Sequence, residues 1–193
     1  TTLFEALLHA GGAIQTAGSV ERGTTVSDFD PMERARGHSL NTAIASIDHG
    51  GIHVNLIDTP GFPDFRGTTL SAFSAVETVC IVVNAGQGIE YGTRRMMETA
   101  KARNLCRVIV VNRIDAEPAK LGALIEQLRS SFGPECLPIN LPAGNGTKVV
   151  DCFFNPAGES DVEDVAMAHQ RIIDQVVEIN ENVMGRYLEE GEA

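Results

Sequence analysis

The chain has 193 residues, 43% hydrophobic and 21% charged, with a formal net charge of −11 at pH 7. That size and balance suit one globular core with a smaller appendage, and the acidity excludes a broad basic surface for gripping nucleic acid, so no direct DNA binding is expected. No run approaches the roughly 18–20 apolar residues of a membrane span, and no charged-then-apolar leader opens the chain, so no membrane partner is expected.

In chain order, helical periodicity first covers Thr1–His9. A Thr-Thr helix start is either a simple N-cap or the hydroxyl end of a phosphate loop, G-x-x-x-x-G-K-[ST], whose last residue opens a helix. Gly11–His38 is polar and aperiodic, and a loop of that length in a compact domain is functional or disordered. Asn41–Asp48 and Ile52–Asp58 are β-type runs split by His49-Gly50-Gly51, the signature of a hairpin. The second run drives straight into Asp58-Thr59-Pro60-Gly61. A carboxylate at a strand's C-terminal edge followed by an unobstructed glycine amide is the pairing that a Mg²⁺ water shell and a terminal phosphate require. The bland alternative is a strand ending in a Pro-Gly turn.

A helical pattern over Thr68–Glu77 leads to the apolar run Thr78–Asn84. A further pattern over Thr93–Arg103 leads to Arg107–Asn112, and another covers Ala119–Ser131. Continuous apolar runs predict strands covered on both faces, and their alternation with helices predicts an α/β fold with a mostly parallel sheet. Leu137–Leu141 and Val149–Phe154 read as short strands, and Val162–Glu190 as one long, acidic, amphipathic helical region. Cys80, Cys106, Cys136 and Cys152 form no CxxC pair, and three lie in or beside apolar runs, which predicts buried thiols in a reducing, cytoplasmic setting.

Asn112-Arg113-Ile114-Asp115 follows the second buried run. An aspartate there can accept from both the N1–H and the N2–H₂ of guanine, a donor pair adenine lacks, while the long cation covers the base plane. Alone the pattern is weak, and a polar strand end capping the next helix explains it as well. Its place one βα unit after the Asp58 strand makes it stronger, because two neighbouring sheet edges would then address opposite ends of one guanosine triphosphate.

Taken together these pieces resemble the GTPase domain of bacterial elongation factor G, in particular its divergent elongation factor G-like paralogues. Thr1-Thr2-Leu3 resembles the end of the phosphate loop. Gly18-Ser19-Val20, Asp28 and Arg36-Gly37-His38-Ser39 resemble the first switch, and Asp58 through Phe65 the second. Asn112 to Asp115 resembles Asn-Lys-x-Asp, and Leu141–Gly144, Val149–Asp151 and Glu181–Glu189 resemble that factor's insertion.

The resemblance implies a P-loop NTPase-like fold with helices on both faces of the sheet, a GTPase domain over residues 1–141 and part of an insertion over 142–193. It implies GTP/GDP and Mg²⁺ as ligands and the ribosome as partner of the full-length protein. Thr1 and Ser39 would ligate the metal, Asp58 would hold it through water, and Gly61 would sense the terminal phosphate. Thr1 and Thr2 would lie on the phosphates, with Asn112, Arg113 and Asp115 on the base. It also implies that the glycine-rich turn and lysine precede Thr1, so this stretch alone is expected to bind nucleotide poorly.

Phe62 stands where the family has a histidine that orients the attacking water, and a phenyl ring can form no such hydrogen bond. Slow hydrolysis is therefore expected, and the alternatives are a non-hydrolysing regulatory module or a ribosomal-protection (tetracycline resistance) GTPase. His38 is a candidate substitute, although a lone loop histidine more often faces solvent.

Overall fold

Gly50 and Gly51 take positive φ angles of 58° and 79°, the conformation a two-residue hairpin turn demands and a side chain resists. They close the antiparallel pair β1 (Ala43–His49) and β2 (Ile52–Asp58), in register from Ala43 opposite Asp58 to His49 opposite Ile52. The computed structural model describes residues 1–190. Two compact units emerge, Thr1–Val79 and the residues from Cys80 onward.

In the first unit, α1 (Thr2–Ala10) buries Phe4 and Leu8, four residues apart on one helix face. Between them in sequence sits Glu5, fully buried. Its carboxylate accepts the N–H of Gly18 at 2.9 Å, of Val26 at 2.8 Å and of Ser27 at 3.3 Å. The segment that reads as an aperiodic loop is thus ordered on a buried anion. It also contains α2 (Pro31–Arg36), which the sequence reading missed. The short helix is specified by its ends: Asp30 and Glu33 form a reciprocal capping box, Pro31 opens the first turn, and Gly37 closes it at φ 68°. Beyond β2, a 3₁₀ turn (Pro63–Phe65) leads into α3 (Arg66–Ala72) and a second 3₁₀ turn (Phe73–Ala75).

The second unit centres on β3 (Thr78–Asn84, whose first residues precede the division) and β4 (Cys106–Asn112), joined by α4 (Tyr91–Ala102). The Ala85 N–H donates to the Asn112 carbonyl at 2.9 Å. The C-terminal ends of β3 and β4 therefore lie side by side, the parallel arrangement that a crossover helix permits. Cover on both faces follows for neither strand: no residue of β4 is buried, and Val108 is exposed. Val79, Ile81 and Val83 are buried, whereas Cys80 is exposed and Val82 is 49% exposed. An apolar run with β-branched residues on both faces cannot announce which face will be covered. The same correction applies to the thiols: Cys80 and Cys106 are exposed and only Cys152 is buried, all of them free.

After α5 (Leu121–Phe132), the hairpin β5 (Asn140–Ala143) and β6 (Lys148–Asp151) packs with α6 (Val165–Ile179) around Leu141, Cys152, Val165, Ala168 and Ile172. The long amphipathic region is two helices. Asn180 turns extended after α6, and its side-chain oxygen accepts from the N–H groups of Asn182 and Val183 at the start of α7 (Glu181–Glu190). The strand ladders among the described residues are three two-stranded pairs, β1–β2, β3–β4 and β5–β6. An apolar cavity of about 450 Å³ in this unit is walled by Val108, Val110, Leu124, Leu128 and Phe132.

Glu5→Ala should lower stability by at least about 2 kcal/mol, because three backbone donors lose a charged acceptor in hydrogen bonds that are partly buried (Gly18, Val26) or buried (Ser27). Urea titration reads the loss, and limited proteolysis should show new cleavage within residues 18–27.

Candidate functional site

Thr1 occupies the N-cap position of α1, yet its side chain caps nothing. The hydroxyl instead donates to Asp58 Oδ2 at 2.8 Å, across 57 residues of sequence, while the Thr1 amino group lies 3.1 Å from Asp58 Oδ1. Ser39 donates its hydroxyl proton to Asp28 Oδ1 at 2.7 Å, and Thr25 donates to Asp28 Oδ2 at 2.8 Å. Thr1, Ser39 and Asp58, singled out from sequence, thus converge. Asp28, only 2% exposed, joins them as an acceptor. The sequence reading placed Asp28 in a switch-like motif without giving it a role; its signal was a short acidic residue beside two hydroxyls, too common to weigh.

The proton arrangement of this cluster has a consequence. Each hydroxyl owns one proton, and both protons go to carboxylates. The Thr1 and Ser39 oxygens, 2.9 Å apart, then face each other with lone pairs. Adjacent oxygen ligands of an octahedral Mg²⁺, at about 2.1 Å each, stand about 3.0 Å apart. The all-oxygen donor set fits a hard cation, and the carboxylates orient the hydroxyls as outer partners do in metal sites. Among the described residues no group of three His, Cys, Asp or Glu could hold a metal; this cluster draws two of its four side chains, Thr1 and Ser39, from hydroxyl residues instead. Thr2 is exposed at the first helical position and makes no hydrogen bond to the cluster among the described residues.

Past β2, Gly61 is exposed, and a Cβ added there would meet nothing within 4 Å. Open space therefore lies where a side chain would stand. Phe62 is 50% exposed, and its ring stacks on His38 with centroids 4.2 Å apart and planes at 28°. His38 also lies 6.4 Å from the Phe65 ring. The imidazole is half-buried rather than free in solvent.

In the second unit, Asn112 ends β4 and its side-chain oxygen accepts the Arg113 N–H at 2.9 Å. Arg113 adopts a left-handed φ of 58° and opens a turn in which the Ala116 N–H donates to the Arg113 carbonyl at 3.2 Å. Asp115 is exposed in this turn. Gly146, at φ 75°, backs it so closely that a Cβ would fall 2.3 Å from the Ile114 oxygen. Asn112, Arg113 and Asp115 are accordingly presented on one short, buttressed turn. The cavity near α5 has a mainly apolar wall, with Arg107, Glu135 and Asn140 among its lining residues.

The family model described as elongation factor Tu GTP binding domain matches residues 1–190. Elongation factor G-like proteins of Mycobacterium tuberculosis strains CDC 1551 / Oshkosh and ATCC 25618 / H37Rv are each 32% identical over 201 residues, covering 97% of this chain and 28% of their own length. A crystal structure from Thermus thermophilus superposes with a TM-score of 0.83 at 33% identity, over 100% of this chain and 31% of that one. The chain therefore spans about 28% of the length of the curated relatives it matches.

Glu33 holds the approach to Ser39. Fully buried, it accepts the N–H of Asp30 at 3.0 Å, of Leu40 at 2.9 Å and of Asn41 at 2.8 Å. Burial pushes its pKa up, but the hydrogen bonds from Asn41, Leu40 and Asp30 outweigh it, and the net shift is below the usual 4.5. A lowered folded pKa contributes stability that is complete above the unfolded value and is lost as pH falls through the folded one. Glu33→Gln should therefore destabilise most above the usual 4.5, by about 1–3 kcal/mol, with the gap from the natural chain narrowing as pH falls below it. Urea midpoints taken on both sides of that value check the sign.

Proposed function

The chain belongs to the elongation factor Tu GTP-binding domain family and has the P-loop NTPase fold of a translational GTPase G domain similar to that of elongation factor G; from that premise we propose that it binds GTP and GDP with Mg²⁺ and serves ribosome-associated steps as part of the full-length protein. The observation that carries the reading is the facing pair of hydroxyl oxygens at 2.9 Å whose protons are held by Asp58 and Asp28.

In this proposal the Thr1 and Ser39 oxygens ligate the cation directly. Asp58 and Asp28 keep both hydroxyl protons turned away and hold metal-bound water. The cation would neutralise charge on the terminal phosphoryl oxygens. Thr1 and Thr2 lie along the phosphates at the start of α1, and the Gly61 amide donates to a terminal phosphoryl oxygen. Asp115 accepts from the N1–H and N2–H₂ of guanine, Arg113 covers the base plane with its stem, and Asn112 braces the turn. Residues 1–141 would form the GTPase part and 142–193 the insertion.

A second reading, a domain that binds GTP without turning it over, is favoured by Phe62, which has no atom to hold water. A ribosomal-protection GTPase would share every contact above. Turnover by the full-length protein, with and without ribosomes, separates binding from hydrolysis.

Two substitutions probe the two ends. Ser39→Ala should weaken Mg²⁺-dependent binding of a non-hydrolysable GTP analogue in a magnesium titration by at least the roughly 10–100-fold that loss of a mere outer partner costs. Asp115→Asn exchanges an acceptor for a donor, so binding should move from guanosine toward xanthosine nucleotides, with at least about 10²-fold loss for GDP, read by competition with a fluorescent nucleotide. Unchanged magnesium-dependent binding in the first variant together with unchanged GDP affinity in the second would remove the proposal.

A further inference from the structure

Phosphoryl transfer to water needs a group that accepts a hydrogen bond from the attacking water and aims its oxygen at phosphorus. The side chain directly after Gly61 on the turn that follows Asp58 is Phe62, which accepts nothing. The ring lying on it does. His38 packs face to face on Phe62 at 4.2 Å, one residue before Ser39. Its Nδ1 lies 3.3 Å from the Ser39 carbonyl oxygen. A carbonyl only accepts, so Nδ1 carries the proton, and in the neutral ring Nε2 is a bare acceptor. Stacking fixes the plane of the ring, and the Nδ1 hydrogen bond fixes its rotation.

We propose that His38, laid on the Phe62 ring, is the acceptor that holds the attacking water, so that the two residues together perform a task that Phe62 cannot perform alone. This rests on the reading of the chain as a GTPase domain. In the step, a bond forms from the water oxygen to the terminal phosphorus. The bond to the bridging oxygen breaks, its electron pair leaving with the nucleoside diphosphate. One water proton stays on the phosphate product and the other passes to solvent. Nε2 accepts a hydrogen bond throughout and ends the step as it began. Phe62 is a positioning residue: it is the plate that keeps the imidazole from turning into solvent.

The test uses the full-length protein. With ¹⁵N-histidine labelling and no nucleotide present, the two-bond ¹H–¹⁵N pattern of His38 should report the Nδ1–H tautomer; the Nε2–H tautomer would overturn the proposal. Single-turnover hydrolysis is then measured beside GDP affinity. His38→Ala and His38→Asn should slow hydrolysis by about 10²–10⁴-fold. His38→Gln, whose Oε1 reaches the place of Nε2, should stay within about tenfold of the natural chain, and GDP affinity should hold within about twofold throughout. Phe62→Leu, which keeps apolar bulk and removes the plate, should slow hydrolysis with affinity unchanged. Equal rates for the Gln and Asn variants, or an Ala variant as fast as the natural chain, sink the proposal. So does a natural protein that binds GTP tightly and never hydrolyses it, an outcome that leaves the nucleotide-binding reading standing. Failure of the natural protein to bind any guanine nucleotide would instead remove that reading.

Discussion

One contact organises the first unit: the Thr1 hydroxyl on the Asp58 carboxylate at 2.8 Å. It joins the opening of α1 to the last residue of β2. Ser39 meets the same Thr1 oxygen at 2.9 Å, and Asp28 takes up the Ser39 proton at 2.7 Å. A carboxylate takes the proton of the hydroxyl at each end, which leaves the two hydroxyl oxygens in the middle facing each other. Such a network polarises its members, and a missing one would leave the remaining groups unpaired in partly buried positions. The result is a pair of hydroxyl oxygens 2.9 Å apart, the spacing at which the proposed cation would find two of its ligands.

The two units illustrate different ways to hold a chain. The second contains a packed cluster of Leu141, Cys152, Val165, Ala168 and Ile172, where shape and water exclusion suffice. The first stabilises long irregular stretches with buried glutamates. Glu5 gathers three backbone N–H groups and Glu33 another three. A buried carboxylate is costly to desolvate unless donors surround it, and irregular backbone supplies donors that no helix or sheet has consumed. Anion and loop satisfy each other.

Legibility in the sequence followed the range of the forces involved. β2 and β3 begin and end where apolar runs and polar punctuation place them, and the Gly-Gly hairpin is encoded by two residues that tolerate positive φ. Thr1, Ser39 and Asp58 were readable because a short local pattern names each, though only folding shows that they meet. Asp28, Glu5 and Glu33 escaped, since a buried carboxylate and a solvated one have the same letter. The helix Pro31–Arg36 is too short for periodicity to register, and only its caps could have revealed it. The open face of β3 was illegible for a different reason: Val and Cys serve equally well covered or exposed. Asn180 split a continuous amphipathic pattern because its side chain satisfies the following N–H groups better than another turn of helix would.

The Glu5 clasp gives the segment between Gly18 and Val26 the mechanics of an arch. Its feet are fixed to one carboxylate, and its span is braced by the pairing of Ser19 with Thr24, at 3.1 Å between backbones and 3.0 Å through the threonine hydroxyl. The crown, Glu21 and Arg22, is exposed. Lengthening a closed ring costs only logarithmically in its size. Extra residues grafted at the crown should leave the springing points, and the helix beneath them, where they are.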